Sequence, residues 1–419
     1  MVTPPLRPTS RGSGAETRKR SVLDRRGLRL PFLIPGGASL LLGLYAAVVL
    51  LGFPNLINLE RIGDYHAPLM VFGFVGTLIV LERSVAARRA WGYVSPALLG
   101  LGSLSLITAL PETVGKTAIA LGFVVLLGLY WVVWLRQPAA ATGIQILGAA
   151  SGLSAALLWL GGAPVVDLVP GMASFLILTI AGERLELGRI SPSVTTRVEG
   201  FGLGASVALA AAATLAPLHP LIGYPLFGVT LLVIVGWAAR FDVATRLVRS
   251  TGLPRYMAVC LLAGYVWLVV AGLSRIVVGE ISSGWMYDAV LHSVFLGFVM
   301  SMIMAHAPVI LPAVLRVSLP YRPFLYAPVA LLHEALAVRV IGDVRQVPEL
   351  VTWGGYGNVA ALLLFVVLAV TTAILGVPAN AKPYLRVTPE VAAETARAAP
   401  PSAEAASSED TPMKNPEKP

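Results

Sequence analysis

Stretches of roughly 20 mostly apolar residues recur from residue 32 to residue 376, separated by short polar breaks. A run of that length matches the hydrocarbon thickness of a bilayer when it is helical. Inside hydrocarbon no water is present to satisfy backbone N–H and C=O groups, so each run must satisfy its own by forming a helix. Twelve spans are expected, at 32–53, 63–82, 93–110, 116–135, 141–162, 167–186, 197–217, 220–239, 255–277, 286–309, 323–342 and 355–376. The composition agrees: 56% of the 419 residues are hydrophobic and 13% are charged, too little charge for a soluble domain of this size. The expected fold class is an all-α polytopic membrane protein, with residues 30–377 as the membrane domain. Residues 1–29 (Arg, Ser, Gly and Pro) and 378–419 (Ala, Pro and Glu) lack the apolar surface needed to order themselves and read as tails.

Loop charge gives the expected orientation. Arg7, Arg11, Arg18, Lys19, Arg20, Arg25, Arg26 and Arg29 precede the first span, which predicts a cytoplasmic N-terminus. Every second loop is then basic as well: Arg83, Arg88 and Arg89; Arg136; Arg184, Arg189 and Arg197; Arg240, Arg246 and Arg249; Arg316 and Arg322. The opposite loops are poor in Lys and Arg except the one after the eleventh span, with Arg339 and Arg345. An even number of spans returns the C-terminus to the cytoplasm, in a bacterial-type inner (plasma) membrane. The net charge of +9 thus reads as topology and lipid contact, not as a nucleic-acid footprint. The first apolar run is too long for a cleavable signal core. One cysteine, Cys260, leaves no disulfide framework and no Cys-x-x-Cys-His haem attachment; it reads as a packing residue.

The spans echo one another every four. The second ends in Glu82-Arg83 and the sixth in Glu183-Arg184, while the tenth carries Leu296-Gly297-Phe298-Val299 against Phe72-Gly73-Phe74-Val75 of the second. Aligned on that piece, His306 stands where Glu82 stands. This pattern predicts three equivalent four-helix units, with the second, sixth and tenth helices as counterparts.

His66 and His292 fall near the same, outer end of the second and tenth spans. Imidazole in hydrocarbon needs a partner, a cavity or a metal. Two readings follow: rings hydrogen-bonded to backbone or water, or axial ligands of one haem iron held between two helices. Gly73, Gly76 and Gly297 could let backbone approach a flat macrocycle. Asp64 and Asp288 could accept from the ligands' second ring nitrogen or act as helix N-caps. Trp285, Tyr287, Trp353 and Tyr356 fit an outer aromatic belt.

These residues carry a resemblance. His66-Ala-Pro-Leu-Met70 before a Gly-bearing apolar run resembles the second helix of the heme-copper oxidase catalytic subunit, whose His-Gly-x-x-Met motif supplies a low-spin haem ligand. The resemblance implies that fold, twelve helices in three pseudo-symmetric four-helix arcs, and His292 as the second ligand. It also implies Arg339 and Arg345 as partners of the haem propionates. Met70-Val71-Phe72-Gly73-Phe74 and the late His292…Gly297 pair are similar to the NnrS family, haem-containing membrane proteins linked to nitric oxide stress. The resemblance spans 31–376 in topology and the second, tenth and eleventh helices in motif.

The departures narrow what is implied. Val290 and Val294 flank His292, so the second histidine of the oxidase tenth helix is missing, and the sixth and seventh spans hold no histidine for an active-site copper. Pro68 replaces the second histidine of the NnrS start. What remains is one non-covalent, bis-histidine haem b, with no residue pattern supporting copper. Electron transfer or a nitric oxide-related response is implied rather than oxygen reduction, beside a respiratory or nitrogen-oxide reductase partner.

Three histidines remain. His306 lies fourteen residues beyond His292, about 21 Å further along a helix; it reads as interfacial, or as a further haem or metal ligand with Glu82 or His333. His333 and Glu334 sit mid-span, either handling protons or forming a hydrogen-bonded pair, and they carry the rival reading of a proton-coupled secondary transporter. A third reading is an assembly subunit without cofactor. His219 lies in an outer loop and reads as solvated.

Overall fold

The computed structural model describes residues 29–376, apart from 58, 60, 190–193 and 316–318. Most of the two expected tails, and Arg316 of the basic loops, lie outside the described residues. The described chain is helical throughout: α1 Leu30–Leu50, α2 Ile62–Ala87, α3 Val94–Ser105, α4 Glu112–Arg136, α5 Ala140–Leu160, α6 Val165–Gly188, α7 Thr196–Leu218, α8 Pro220–Phe241, α9 Gly252–Val278, α10 Trp285–Val314, α11 Pro323–Arg345 and α12 Pro348–Leu375. This is a polytopic membrane architecture. Consecutive helices pack as antiparallel neighbours, joined by short turns.

Eleven of these helices are long and apolar enough to cross a membrane. The twelfth, α3, is the exception to the expected span at 93–110. It has 12 helical residues after a 3₁₀ turn at Ala90–Tyr93. Helix rise gives it about 18 Å, well short of the hydrocarbon thickness. Its end is broken by local side-chain bonds: Ser105 Oγ donates to Gly102 O and Thr108 Oγ1 to Ser105 O, each at 2.7 Å. Such hydroxyls offer the backbone an alternative to the helix ladder. A Cβ on Gly115 would lie 2.6 Å from Gly102 O, so α3 and α4 touch backbone to backbone.

The helices fall into an inner and an outer set. Within the apolar windows, 78% of α6, 67% of α10 and 61% of α2 is buried, against 33% for α1, α7 and α12. The three inner helices are the ones the sequence echo equates. An outer helix is apolar on both faces because lipid and protein core have the same polarity; sequence alone therefore does not mark its inward side. Edge-to-face rings tie the inner layer together, Phe72 to Phe123 at 5.6 Å and Phe123 to Phe175 at 4.9 Å.

The end carrying the basic loops is locked by a buried pair. Arg184 Nε and Nη2 donate to Asp242 at 2.9 and 2.6 Å, and Tyr265 Oη donates to the same carboxylate at 2.7 Å. Burial pushes the Asp242 carboxyl up, but Arg184, Tyr265 and the Ala244 N–H outweigh it and hold the group below its usual range.

Candidate functional site

Helices α2 and α10 each contain a π-helical stretch, Leu69–Gly76 and Ser293–Met300. The two stretches coincide under the alignment of Phe72–Val75 with Leu296–Val299. π-turns are rare and concentrate where a helix must re-aim side chains at a functional site. His66 lies three residues before the first and His292 immediately before the second.

Each ring is fixed through Nδ1. His66 Nδ1 is 2.9 Å from Gly43 O of α1. A carbonyl only accepts, so Nδ1 carries the proton. A Cβ at Gly43 would meet Met70 Sδ at 2.6 Å; glycine there lets the α1 backbone lie close enough to deliver its carbonyl. His292 Nδ1 is 2.9 Å from Asp288 O and 3.2 Å from Asp288 Oδ1. Asp288 is gripped in turn by Arg339, whose Nε and Nη2 donate at 2.7 and 2.8 Å. Both rings thus keep Nε2 as the free lone pair.

The two histidines line one cleft, bounded by α1, α2, α6, α10, α11 and α12. The space between these helices, open mouth included, is about 870 Å³. Met70, Tyr287, Arg339 and Asn358 also line it. Among the described residues no group of three or more His, Cys, Asp or Glu side chains is arranged for a bare metal ion, so the cleft offers imidazoles from two helices and little else that ligates.

The other expected residues are placed as follows. Gly73 faces Ser39 and Ser103, and Gly297 faces Trp267. Both glycines serve helix–helix contact, and neither lines the cleft; Gly76 faces Leu99 and Phe175. The reading of these glycines as approach points for a macrocycle is therefore corrected. Arg345 is exposed at the helix end and does not line the cleft, whereas Arg339 does. Asp64 is exposed and paired with Arg61 at 2.9 Å, away from His66. Asp288 is not an N-cap, since Gly284 holds that place.

His333 sits outside the cleft. Trp267 Nε1–H donates to its Nδ1 at 2.9 Å, and Ser301 Oγ lies 3.1 Å from its Nε2. Because Nδ1 accepts, Nε2 carries the proton and donates to Ser301, whose own hydroxyl donates to Gly297 O at 2.7 Å. Both ring nitrogens are used. Glu334, one residue on, is exposed on the helix exterior, so the two form no common pair. His306 Nδ1 bonds Met302 O at 2.7 Å and its Nε2 is enclosed without a partner. His219 is exposed.

Sequence reading missed two participants: the Gly43 carbonyl and Asn358. A backbone carbonyl leaves no mark in sequence. Asn358 did: an Asn inside an apolar helix is costly and commonly faces a site. Asn358 donates to Leu332 O at 3.0 Å and leaves its own carbonyl oxygen enclosed and unpaired.

Over residues 29–374 the chain matches the family described as Domain of unknown function (DUF8744), and it belongs to that family. No curated protein matches it.

Proposed function

We propose that this membrane protein holds one haem b between His66 of α2 and His292 of α10 and serves electron transfer or a nitric oxide-related response. One observation carries the reading. Two imidazoles on facing helices line one cleft, each with Nδ1–H anchored to a carbonyl oxygen and Nε2 left as a lone pair. This is the arrangement metal-ligating histidines adopt, with the distal N–H fixing tautomer and ring orientation. The Asp288 carboxylate stands beside His292 Nδ1, and Arg339 grips that carboxylate through two hydrogen bonds, so the support behind the ring is fixed.

A bound haem would supply a one-electron iron couple. The chain's own contribution is placement: Gly43 and Asp288 orient the two rings, while Met70, Met172 and Leu176 keep the cleft apolar. Arg339 lines the cleft while paired with Asp288, so it offers a propionate a charge already partly committed. His66 and His292 would both be committed to holding the group, and the chemistry it would then supply is electron transfer rather than substrate conversion.

The wider reading follows the same line. The burial of α2, α6 and α10 supports three four-helix units resembling the heme-copper oxidase scaffold, with the short α3 as a departure. The basic loops gathered at one end support an inner-membrane orientation with the termini in the cytoplasm, which puts the His66–His292 cleft toward the outer face. A respiratory or nitrogen-oxide reductase is the kind of partner that would exchange electrons there. The transporter reading loses its central pair, because His333 is saturated by hydrogen bonds and Glu334 faces outward.

The test is an optical spectrum with pyridine haemochrome analysis of protein purified from a haem-competent host. A six-coordinate Soret band, lost in both His66→Ala and His292→Ala, is the expected result. Well-folded protein without any haem would refute the assignment.

A further inference from the structure

The central space does not stop at the histidine cleft. A second cavity of about 1310 Å³, its mouth included, shares Val75, Val299, Met300 and Leu362 with the first and runs toward the basic end. Its walls are aliphatic, methionine and phenylalanine side chains of α1, α2, α6, α10 and α12. Four polar side chains interrupt them: Thr179, Glu82, Glu183 and His306. The last three occupy echoed positions on the three inner helices, each at the end of its apolar run.

The chemistry of that polar end is one-sided. Thr179 Oγ1 donates to Phe175 O at 2.7 Å, which uses its proton. Arg83 Nη2 bridges Glu82 at 2.7 Å and Glu183 at 3.1 Å, which gives both carboxyl groups a partner; Arg83 itself does not line the cavity. His306 donates Nδ1–H to Met302 O, because that carbonyl can only accept. Its Nε2 is then an enclosed lone pair with no partner. A buried acceptor without a donor is costly, and native structures almost always supply one.

We propose that this cavity binds a long-chain amphiphile whose head carries a hydroxyl donor, with the hydroxyl on His306 Nε2 and the tail along the apolar walls. A hydroquinone and a lipid alcohol share this chemistry. A carbonyl-headed analogue with the same tail, such as a quinone, would set lone pair against lone pair and bind more weakly.

The test uses the full-length protein in lipid nanodiscs, with empty nanodiscs as blank, under anaerobic conditions. Equilibrium binding is measured for tritiated decyl-hydroquinone, the matching decyl-quinone and dodecanol. Expected is saturable hydroquinone binding about tenfold tighter than quinone, the factor for one hydrogen bond of about 1.4 kcal/mol. His306→Leu should erase that preference. Saturable binding of dodecanol alone assigns the site to a lipid alcohol. Equal affinity for hydroquinone and quinone, or no saturable binding of any of the three, overturns the proposal. Ile303→Trp, which fills the cavity with bulk, should abolish all binding, and it serves if His306→Leu does not fold. His66 does not line this cavity, so His66→Ala protein should keep the hydroquinone preference even when its Soret band is gone.

Discussion

Two of the regions that place imidazole in hydrocarbon, other than that of His306, do it differently. Between α9 and α11, His333 has both nitrogens engaged, by Trp267 and Ser301. In the cleft between α2 and α10, His66 and His292 each have one nitrogen engaged and one left over. Saturation closes a polar ring into the packing, whereas a half-satisfied ring has chemistry to spare. The difference lies in neighbours that sequence does not reveal, since all three residues read alike as histidine in an apolar run.

The sharpest way to break the comparison is to remove one ring from each region. Replacing His66 or His292 with alanine should abolish haem retention outright, seen as loss of the Soret band at equal protein. His333→Ala should leave haem stoichiometry unchanged and cost about 1–3 kcal/mol, because it strands the Trp267 N–H. Haem loss in the His333 variant, with the band intact in the other two, would reverse the assignment of the two regions.

Next in size is the support behind His292. Arg339→Ala leaves Asp288 as a half-buried charge without its bidentate partner and should cost about 3–5 kcal/mol. Asp288→Asn in the same chain should recover much of that loss, a coupling that a double-mutant cycle in thermal unfolding would measure. The Arg184–Asp242 lock at the opposite end gives the matching pH experiment. Asp242 is held below its usual range in the folded protein, so the stability it contributes is full above the unfolded carboxylate pKa. It is lost as pH falls through the lower, folded value. Wild-type protein should therefore soften in acid more steeply than Asp242→Asn, whose unfolding should start weaker and vary less across that window.

A smaller effect on haem binding tests the support of the His292 ring. Asp288→Asn keeps the shape, the backbone carbonyl at His292 Nδ1 and a weaker side-chain acceptor. Loss of such a support commonly costs 10- to 100-fold in metal affinity. The expected outcome is retained haem at saturation with faster transfer to apomyoglobin, and an unchanged release rate would show that the Asp288 carbonyl suffices.

How much of this was legible beforehand depends on what kind of information each feature needs. The spans were legible because hydrocarbon demands a minimum apolar length, and only α3 fell short, where the Ser105 and Thr108 hydroxyls end the helix early. The inner set was legible through the echo of Glu82-Arg83 in Glu183-Arg184 and of Phe72–Val75 in Leu296–Val299. His66 and His292 were legible as a pair at one depth, although the carbonyl that orients His66 comes from α1, 23 residues earlier in the chain. The glycines misled, because Gly73 and Gly297 are equally suited to a flat ligand and to a neighbouring helix, and only the packed positions of Ser39 and Trp267 decide. Glu334 misled likewise: adjacency to His333 in sequence is about 100° around a helix, enough to turn it from the interior to the outside.

The smallest predicted effect probes the saturated region from its other side. The Trp267 ring lies within 5° of the His333 ring plane and donates its indole N–H to Nδ1. Trp267→Phe removes the donor and keeps most of the apolar area, so His333 would be left with a bare Nδ1 in hydrocarbon. The expected cost is about 1 kcal/mol, with haem content unchanged. His333 can also turn its proton to Nδ1 and recruit a water, and ¹⁵N chemical shifts of the ring would then report a changed tautomer. If Trp267→Phe instead lowers haem content, the contact of Trp267 with Gly297 must set the aim of the α10 π-stretch. The two regions would then be one mechanical unit rather than a structural ring beside a binding pair.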